Sequence, residues 1–198
     1  MNFTTYKDNP KKDLTKKCIQ KYNYMLDLSL LPDDLSISTM TIICNFDTDF
    51  NIINIGRYIT LSEDTILSVC YVEQDENGDP FKKIRSLIPE VKKRKNKRKN
   101  KNTRKTFYNQ TTIQVRPEKD KRHLNMKIFK NGSVHMTGCK SISDCINSLN
   151  NLCLEINKVK AIIDKKDLSK IIRKPFANNI TNVAIDRVKN LKICMINS

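Results

Sequence analysis

The 198-residue chain has no tryptophan, only four glycines and only two histidines. Four scattered glycines leave no glycine-rich loop that could bind nucleotide phosphates. His123 and His135 have no cysteine or carboxylate partner at metal-ligand spacing, so the sequence predicts no metal site and no cofactor. A nucleophile-elbow pattern is also missing. These absences argue against an enzyme and favour a binding protein.

Membrane and secretory signals are also lacking. No apolar run approaches the roughly 20 residues that span a bilayer, and the N-terminus has no signal-peptide pattern. The seven cysteines form no Cys-x-x-Cys pair, and most occupy apolar positions in the sequence pattern. Such residues are typical of core thiols in a reducing compartment. We therefore expect an intracellular protein without a membrane partner.

Positive charge is what the sequence has in excess, with a formal net charge of +16. Ten Lys or Arg fall within residues 92–105, so +16 minus 10 leaves about +6 for the rest. This charge favours a polyanionic partner, nucleic acid ahead of a membrane surface. The run is expected to be disordered alone and to add affinity through phosphates without reading sequence. A solubilising loop and a nuclear localisation signal are the alternatives. The run begins with Lys92, Lys93, Arg94 and Lys95.

Residues 125–141 predict a β-hairpin around which the domain is organised. Apolar residues alternate with other residues on both strands, and Asn131-Gly132 favours the positive φ angles of a tight turn. One face of the hairpin is therefore apolar and the other is uncovered. The uncovered residues are Lys127, Phe129, His135 and Thr137. An exposed sheet face with a cation and an aromatic ring is where we expect function.

A helical period follows the hairpin. Apolar residues recur at three- and four-residue steps from Ile142, which predicts one long helix to about Ile163. Ser141 and Asp144 fit an N-terminal cap. This helix is expected to cover the apolar face of the hairpin.

Alternating patterns predict three further strands, over residues 35–46, 65–73 and 107–116. Thr39 and Thr41 belong to the hydroxyl-bearing face of the first strand. In the third strand, parity places the apolar residues under the helices and leaves the other set on the open side. That second set is Tyr108, Gln110, Thr112 and Gln114. Asp49 is predicted to cap a helix over residues 50–59.

These elements make an α+β fold, an antiparallel sheet with helices on one face. Residues 1–34 form an N-terminal extension with a possible helix from Asp13. The main domain covers residues 35–163, with a basic insertion at about 74–106 that contains a turn at 75–80 and a short docked turn at 84–88. Residues 164–198 form a polar linker and a C-terminal strand, which is expected to cover the free edge of the first strand.

Several segments resemble the TATA-box-binding protein family. Residues 128–141 match the family's Ile-Phe-x-x-Gly-x-x-x-x-Thr-Gly-x-Lys-Ser pattern, and they precede a long helix as in that family. The first strand, the Asp49-Phe50 helix start and the Val115-Arg116-Pro117 turn resemble further parts of it. The combination of the basic insertion, the Phe107-Tyr-Asn-Gln110 segment and the Phe129 hairpin resembles divergent members encoded by large cytoplasmic DNA viruses. The resemblance covers about residues 35–163, one lobe of a two-lobed saddle, and residues 191–197 resemble the start of a second lobe.

The resemblance implies a transcription initiation factor whose curved sheet has helices on its convex face and binds DNA by its concave face. In this family two aromatic wedges enter the widened minor groove and kink the duplex. Phe129 corresponds to one wedge. The other is Phe107 if one counts back from Pro117, or Tyr108 by strand parity. We favour Tyr108, since the Phe107 register would turn polar residues into the core.

The remaining positions show matches and departures. Thr137 corresponds to a groove-facing threonine of the family, and Gln114 stands in place of a phosphate-contacting arginine. Lys127 and His135 replace apolar groove contacts, so the open face is more polar than in the family. This polarity argues against TATA specificity, because A·T steps offer only acceptors in the minor groove.

The expected partner is double-stranded DNA, with other initiation factors, RNA polymerase or a second copy of the chain as further candidates. The nucleus, a viral factory or a virion is the expected location of such a viral protein. Two rival functions remain open. One is a protein-interaction module of the transcription machinery that no longer binds DNA. The other is a single-stranded nucleic-acid binder with Tyr108 and Phe129 as stacking platforms.

Overall fold

The structure is a computed structural model that describes residues 10–23, 36–89, 108–158, 160–164 and 167–197. These residues form a seven-stranded antiparallel sheet, a separate two-stranded hairpin and three α-helices, which confirms the predicted α+β class. The strands are β1 (Thr39–Asn45), β2 (Ile66–Gln74), β3 (Pro80–Ser86), β4 (Gln110–Val115), β5 (Leu124–Phe129), β6 (Ser133–Cys139), β7 (Lys160–Ile163), β8 (Ile171–Lys174) and β9 (Lys189–Asn197). The helices are α1 (Pro10–Asn23), α2 (Ile52–Tyr58) and α3 (Ile142–Ile156).

The large sheet has the order β3-β2-β4-β5-β6-β1-β9, and every neighbouring pair is antiparallel. Alternate residues of its strands are buried beneath the helices. The Cys145 Sγ of α3 lies 4.0 Å from the Met136 Sδ of β6, and the Thr111 hydroxyl of β4 donates to the Ile52 carbonyl of α2 at 2.9 Å. Both contacts lie on the same side, which we call the core face.

The opposite side of the large sheet is the open face, and within the described chain no helix lies on it. The predicted parity of β1, β4, β5 and β6 is therefore confirmed. The open-face positions, from one edge of the sheet to the other, are Pro80, Lys82, Ile84, Ser86, Ser68, Cys70, Val72, Gln74, Gln110, Thr112, Gln114, Asn125, Lys127, Phe129, Ser133, His135, Thr137, Thr39, Thr41, Ile43, Asn45, Lys189, Lys192, Met195 and Asn197.

The Asn131-Gly132 turn joins β5 and β6 as predicted. Gly132 has a φ of +84°, and a Cβ atom at this position would lie closest to the backbone carbonyl oxygens of Phe46 and Thr48, in the loop after β1. A side chain at this position would overlap those carbonyls. Gly132 is therefore required both for the turn and for the close approach of the loop.

The cap of α2 differs from the prediction. The side chain of Asn51, and not that of Asp49, accepts a hydrogen bond from the Asn54 amide at 3.0 Å, and the helix starts at Ile52. Asn and Asp suit an N-cap equally, so the sequence alone did not separate the two positions. Gly56 of this helix lies directly against the ring of Tyr71 on β2.

The last long helix begins as predicted and ends earlier. The Ser141 side chain accepts from the Asp144 amide at 3.1 Å, which confirms the cap. The helix ends at Ile156, however, and β7 follows it where helix was predicted to about Ile163. Residues 160–163 are rich in isoleucine, which suits a strand as well as a helix, so the apolar spacing did not reveal the change.

Strand β3 was not predicted. A short docked turn was expected at 84–88, whereas residues 80–86 pair along β2. The turn between them is closed by the Asp75 carboxylate, which accepts from the Asn77 and Asp79 amides at 2.9 and 2.8 Å. All side chains of β3 except that of Arg85 are exposed, so the segment has no apolar alternation. Its Asn77-Gly78 turn was the available signal, as Asn131-Gly132 was for β5 and β6.

The C-terminal part is more closely packed than a polar linker. Phe176, Val183, Ile185 and Val188 are buried in the same core as the sheet and helices. Beyond them β9 pairs antiparallel with β1, so the predicted covering of that edge is confirmed. Helix α1 packs beside α3, and its Tyr22 hydroxyl donates to the Val188 carbonyl at 3.3 Å.

The seven cysteines are free thiols, and five of them are buried, as expected for core thiols. Burial raises the pKa of Cys44 and Cys139 to about 12, so both remain protonated at neutral pH. Among the described residues no helix is long and apolar enough to cross a bilayer.

Candidate nucleic-acid interface

Three predicted residues meet at the centre of the open face. The ring of Phe129 at the end of β5 lies 4.6 Å from the imidazole of His135 on β6, centroid to centroid, with planes inclined by 52°. Lys127 is the direct cross-strand partner of His135 on one side and of Thr112 on the other. The centre of the face therefore combines a cation with a tilted aromatic pair.

The charge state of His135 follows from this position. Partial burial and the positive charge of Lys127 both lower the pKa of its imidazole below the usual 6.5. At neutral pH the ring is therefore uncharged, and it packs against Phe129 as an aromatic surface. The permanent charge at the centre comes from Lys127.

Hydroxyl and amide groups occupy the next row of the open face. Thr137 pairs across strands with Asn125 on β5 and with Thr41 on β1. Gln114 accepts a hydrogen bond from the Ser68 hydroxyl at 2.8 Å, so its amide is oriented by β2. Thr39 lies at the end of β1, in the same shallow groove as Thr137. These groups can donate and accept hydrogen bonds along a groove floor.

The second aromatic wedge is only partly defined. Tyr108 lies in a turn two residues before β4 and is 50% exposed. Within the described residues it takes part in no ring pair with Phe129 or any other aromatic side chain. Phe107 lies outside the described residues, so the choice between Tyr108 and Phe107 stays a prediction. Lys92, Lys93, Arg94 and Lys95 of the basic run also lie outside them.

Charge is distributed unevenly between the two faces of the sheet. None of the open-face positions named above is Asp or Glu, whereas lysines stand at positions 82, 127, 189 and 192. Lys189 is paired with Asp47 at 2.9 Å in the loop after β1. Asp49 of the same loop lines a hollow beside Phe129, at the margin of the face. The strands themselves thus present only neutral and cationic side chains.

Sequence reasoning did not assign three lysines and two isoleucines of this face to the site, namely Lys82, Lys189, Lys192, Ile43 and Ile84. Lys192 on β9 pairs with Ile43, which in turn pairs with His135, and they continue the central row. Lys82 and Ile84 extend the face onto β3. Strand parity places Ile43 on the same side as Thr39 and Thr41, and it could also have placed Lys192, because the terminal strand was predicted.

The second histidine lies at one end of the open face. His123 lines the groove that also contains Thr137 and Lys140. Partial burial and the charges of Arg122 and Arg116 lower the pKa of His123. The described residues contain no group of three or more His, Cys, Asp or Glu placed to hold a metal ion.

One curated relative is similar to most of this chain. It is a TATA-box-binding protein-like protein of Acanthamoeba polyphaga mimivirus, 34% identical over 167 residues, which are 83% of this chain and 41% of the relative. The chain thus spans about two fifths of that protein. No family model and no solved structure matches the chain. The 34% identity over most of this chain supports its membership of a divergent, viral type of TATA-box-binding protein-like family.

Proposed function

We propose that this protein is a DNA-binding transcription initiation factor that places its open face in the minor groove and bends the duplex. The observation that supports this most strongly is the open face itself. Seven strands present side chains that include lysines and an aromatic pair but no carboxylate, and no helix of the described chain lies over them. Such a surface suits the phosphate-lined groove of a nucleic acid.

Each group at the centre has a role in this proposal. Phe129 enters between two base pairs, at a cost of a few kcal/mol of stacking that is offset by the contacts a bent duplex allows. Tyr108 is our candidate for the second wedge. Lys127 contacts a phosphate or a base-edge acceptor, and Thr137 and Gln114 line the groove floor.

Bending tests the wedge. A duplex with a fluorophore at each end should show higher energy transfer when the full chain binds. Phe129→Ala should reduce this bending strongly while it weakens overall affinity less, because phosphate contacts supply most of the affinity. Phe81→Ala is the matched control, since Phe81 is an exposed phenylalanine of β3 that lies opposite Glu73 and outside the open face. Equal bending by the parent and Phe129→Ala would refute the wedge role.

The tilted Phe129–His135 pair also favours a second candidate, a single-stranded nucleic-acid binder. Two aromatic surfaces at 4.6 Å offer a platform on which unpaired bases can stack. Competition between duplex and single-stranded oligonucleotides at one salt concentration separates the candidates. Preference for the duplex supports the first, and preference for the single strand supports the second. Binding to neither would favour the protein-interaction module.

The proposal includes no catalytic step. Other initiation factors or RNA polymerase would contact the helices of the core face, which remain accessible when the open face is on DNA. A second copy of the chain is a further possible partner. We propose that the protein works in a reducing intracellular compartment, the nucleus or a viral factory, because its seven thiols are free.

A further inference from the structure

Strand β3 widens the open face by one strand beyond the elements that the sequence predicted. Lys82 pairs with Val72, Ile84 with Cys70 and Ser86 with Ser68, all of which lie on the open side of β2. Ile84 is 58% exposed, which is unusual for an isoleucine in a sheet, and no described side chain covers it. An exposed cation and an exposed apolar residue therefore stand next to each other at this edge.

The intervening residues of β3 fix the strand to the rest of the domain. Lys83 forms an ion pair with Glu73 at 2.6 Å, and Glu73 is buried. Arg85 donates to the Gly56 and Ile59 carbonyls at the end of α2, at 2.9 and 3.0 Å. These contacts lie on the core side, so they hold β3 in place without using Lys82 or Ile84. Lys82 and Ile84 therefore stand on a strand that is held in place from its core side.

Three of the four open-face lysines, Lys82, Lys127 and Lys192, lie on evenly spaced strands of the sheet. One row of cross-strand partners runs from β3 to β9 and consists of Ile84, Cys70, Thr112, Lys127, His135, Ile43 and Lys192. With about 4.8 Å between strands, this row is about 29 Å long, the rise of about eight base pairs at 3.4 Å each. Lys127 lies on the middle strand, and Lys82 and Lys192 lie three strands away on either side, about 14 Å each.

We propose that β3 is part of the DNA-contacting surface, with Lys82 on a phosphate at one end of the bound segment and Ile84 against the adjacent sugar and base edges. This inference rests on the proposed function. Charge complementarity selects the occupant, because every charged side chain at an open-face position is a lysine. The apolar surface of Ile84 suits the sugar walls of a minor groove, while the ammonium of Lys82 suits the backbone beside it.

Salt dependence of duplex binding by the full chain tests this contact. Lys82→Ala should lower the slope of log K against log salt by about 0.9, the value for one phosphate contact on B-DNA. Ile84→Ala should weaken binding without changing the slope, because it removes an apolar contact. Lys83→Ala removes the same charge one residue away on the core side and should leave the slope unchanged. Lys170→Ala, outside the large sheet, serves as a second charge control if Lys83→Ala proves unstable in a thermal melt.

The outcomes separate this inference from the proposed function. The β3 contact would be overturned if Lys82→Ala kept the salt slope of the parent chain. It would also be overturned if the charge controls lowered the slope as much as Lys82→Ala does. If the β3 contact were overturned but Phe129→Ala still abolished bending, the proposed function would stand without the β3 contact. Failure of the parent chain to prefer duplex DNA would overturn both.

Discussion

Lys127 and His135 are direct cross-strand partners at the centre of the open face, and the lysine charge adds to burial in lowering the pKa of the imidazole. The two residues thus share one electrostatic environment. After burial, the charge of Lys127 is the second cause that disfavours protonation of His135. This coupling can be measured without any nucleic acid.

We predict that Lys127→Ala raises the pKa of His135 towards its usual value. Removing the ammonium removes one of the two causes of the lowered pKa, and burial remains as the other. An NMR titration of the imidazole protons measures this shift. His123 is the internal control, because burial, Arg122 and Arg116 lower its pKa and Lys127 is not among the causes. An unchanged His135 titration would contradict the coupling.

We predict that the folded state loses stability as the pH falls from about 7.5 towards 5.5. Both histidines have a folded pKa below the unfolded value of 6.5, so the unfolded state binds more protons in this range. Stability therefore rises with pH there and levels off once both imidazoles are neutral in both states. Urea unfolding midpoints at pH 7.5, 6.5 and 5.5 measure this effect.

The double variant His123→Asn/His135→Asn should show a clearly smaller drop across the same pH range. The carboxylate of Glu73 does not account for the loss of stability in this pH range. Burial alone would raise its pKa, but hydrogen bonds from Arg57 and Lys83 outweigh that effect and lower it below 4.5. A drop of the same size in the double variant would assign the effect to other groups.

We predict that Glu73→Gln destabilises the fold by about 1 to 2 kcal/mol. The buried carboxylate accepts from Arg57 at 2.5 Å and Lys83 at 2.6 Å. Because these partners are 46% and 48% exposed, the loss should be below the roughly 3 to 5 kcal/mol of a fully buried pair. Urea unfolding measures the change. Glu118→Gln, which removes an exposed ion pair with Lys121, should change the free energy of unfolding by less than about 0.5 kcal/mol.

We predict that Gly56→Ala is destabilising, although alanine is the better helix former. A methyl group at this position would overlap the ring of Tyr71, and such overpacking costs about 1 to 3 kcal/mol. In a Tyr71→Leu background the same change should cost much less. Thermal or urea unfolding of the four chains gives the coupling energy. An equal cost in both backgrounds would show that the ring is not the cause.

The sequence predicted the structure best in segments where a periodic apolar pattern is bounded by a turn residue or a helix-capping residue. Alternation around Asn131-Gly132 predicted β5, β6 and the faces of their side chains, and Ser141 marked the start of α3. The same parity placed Lys127, Phe129 and His135 on one uncovered surface. Only the structure showed that Phe129 and His135 are in ring contact, because parity gives the face of a side chain and not its rotamer.

The sequence was least informative where neither face of a segment is apolar. Strand β3 is held by backbone pairing with β2 and by the ion pair of Lys83, and neither leaves a periodic signal. The end of α3 was missed for the opposite reason, since the isoleucines of β7 continue the apolar spacing of the helix. The cap of α2 was missed because Asp49 and Asn51 both have side chains that accept from a helix amide.

The pairing of β1 with β9 has a consequence for how the protein folds. Ser38 and Asn197, which are linked by a hydrogen bond at one end of this pair, are 159 residues apart in sequence. A nascent chain must therefore carry β1 with one unpaired side until almost all of these residues have left the ribosome. Because such a distant contact forms late, completion of the sheet is expected to limit the folding rate. In that interval the exposed backbone of β1 would be vulnerable to aggregation and open to a chaperone.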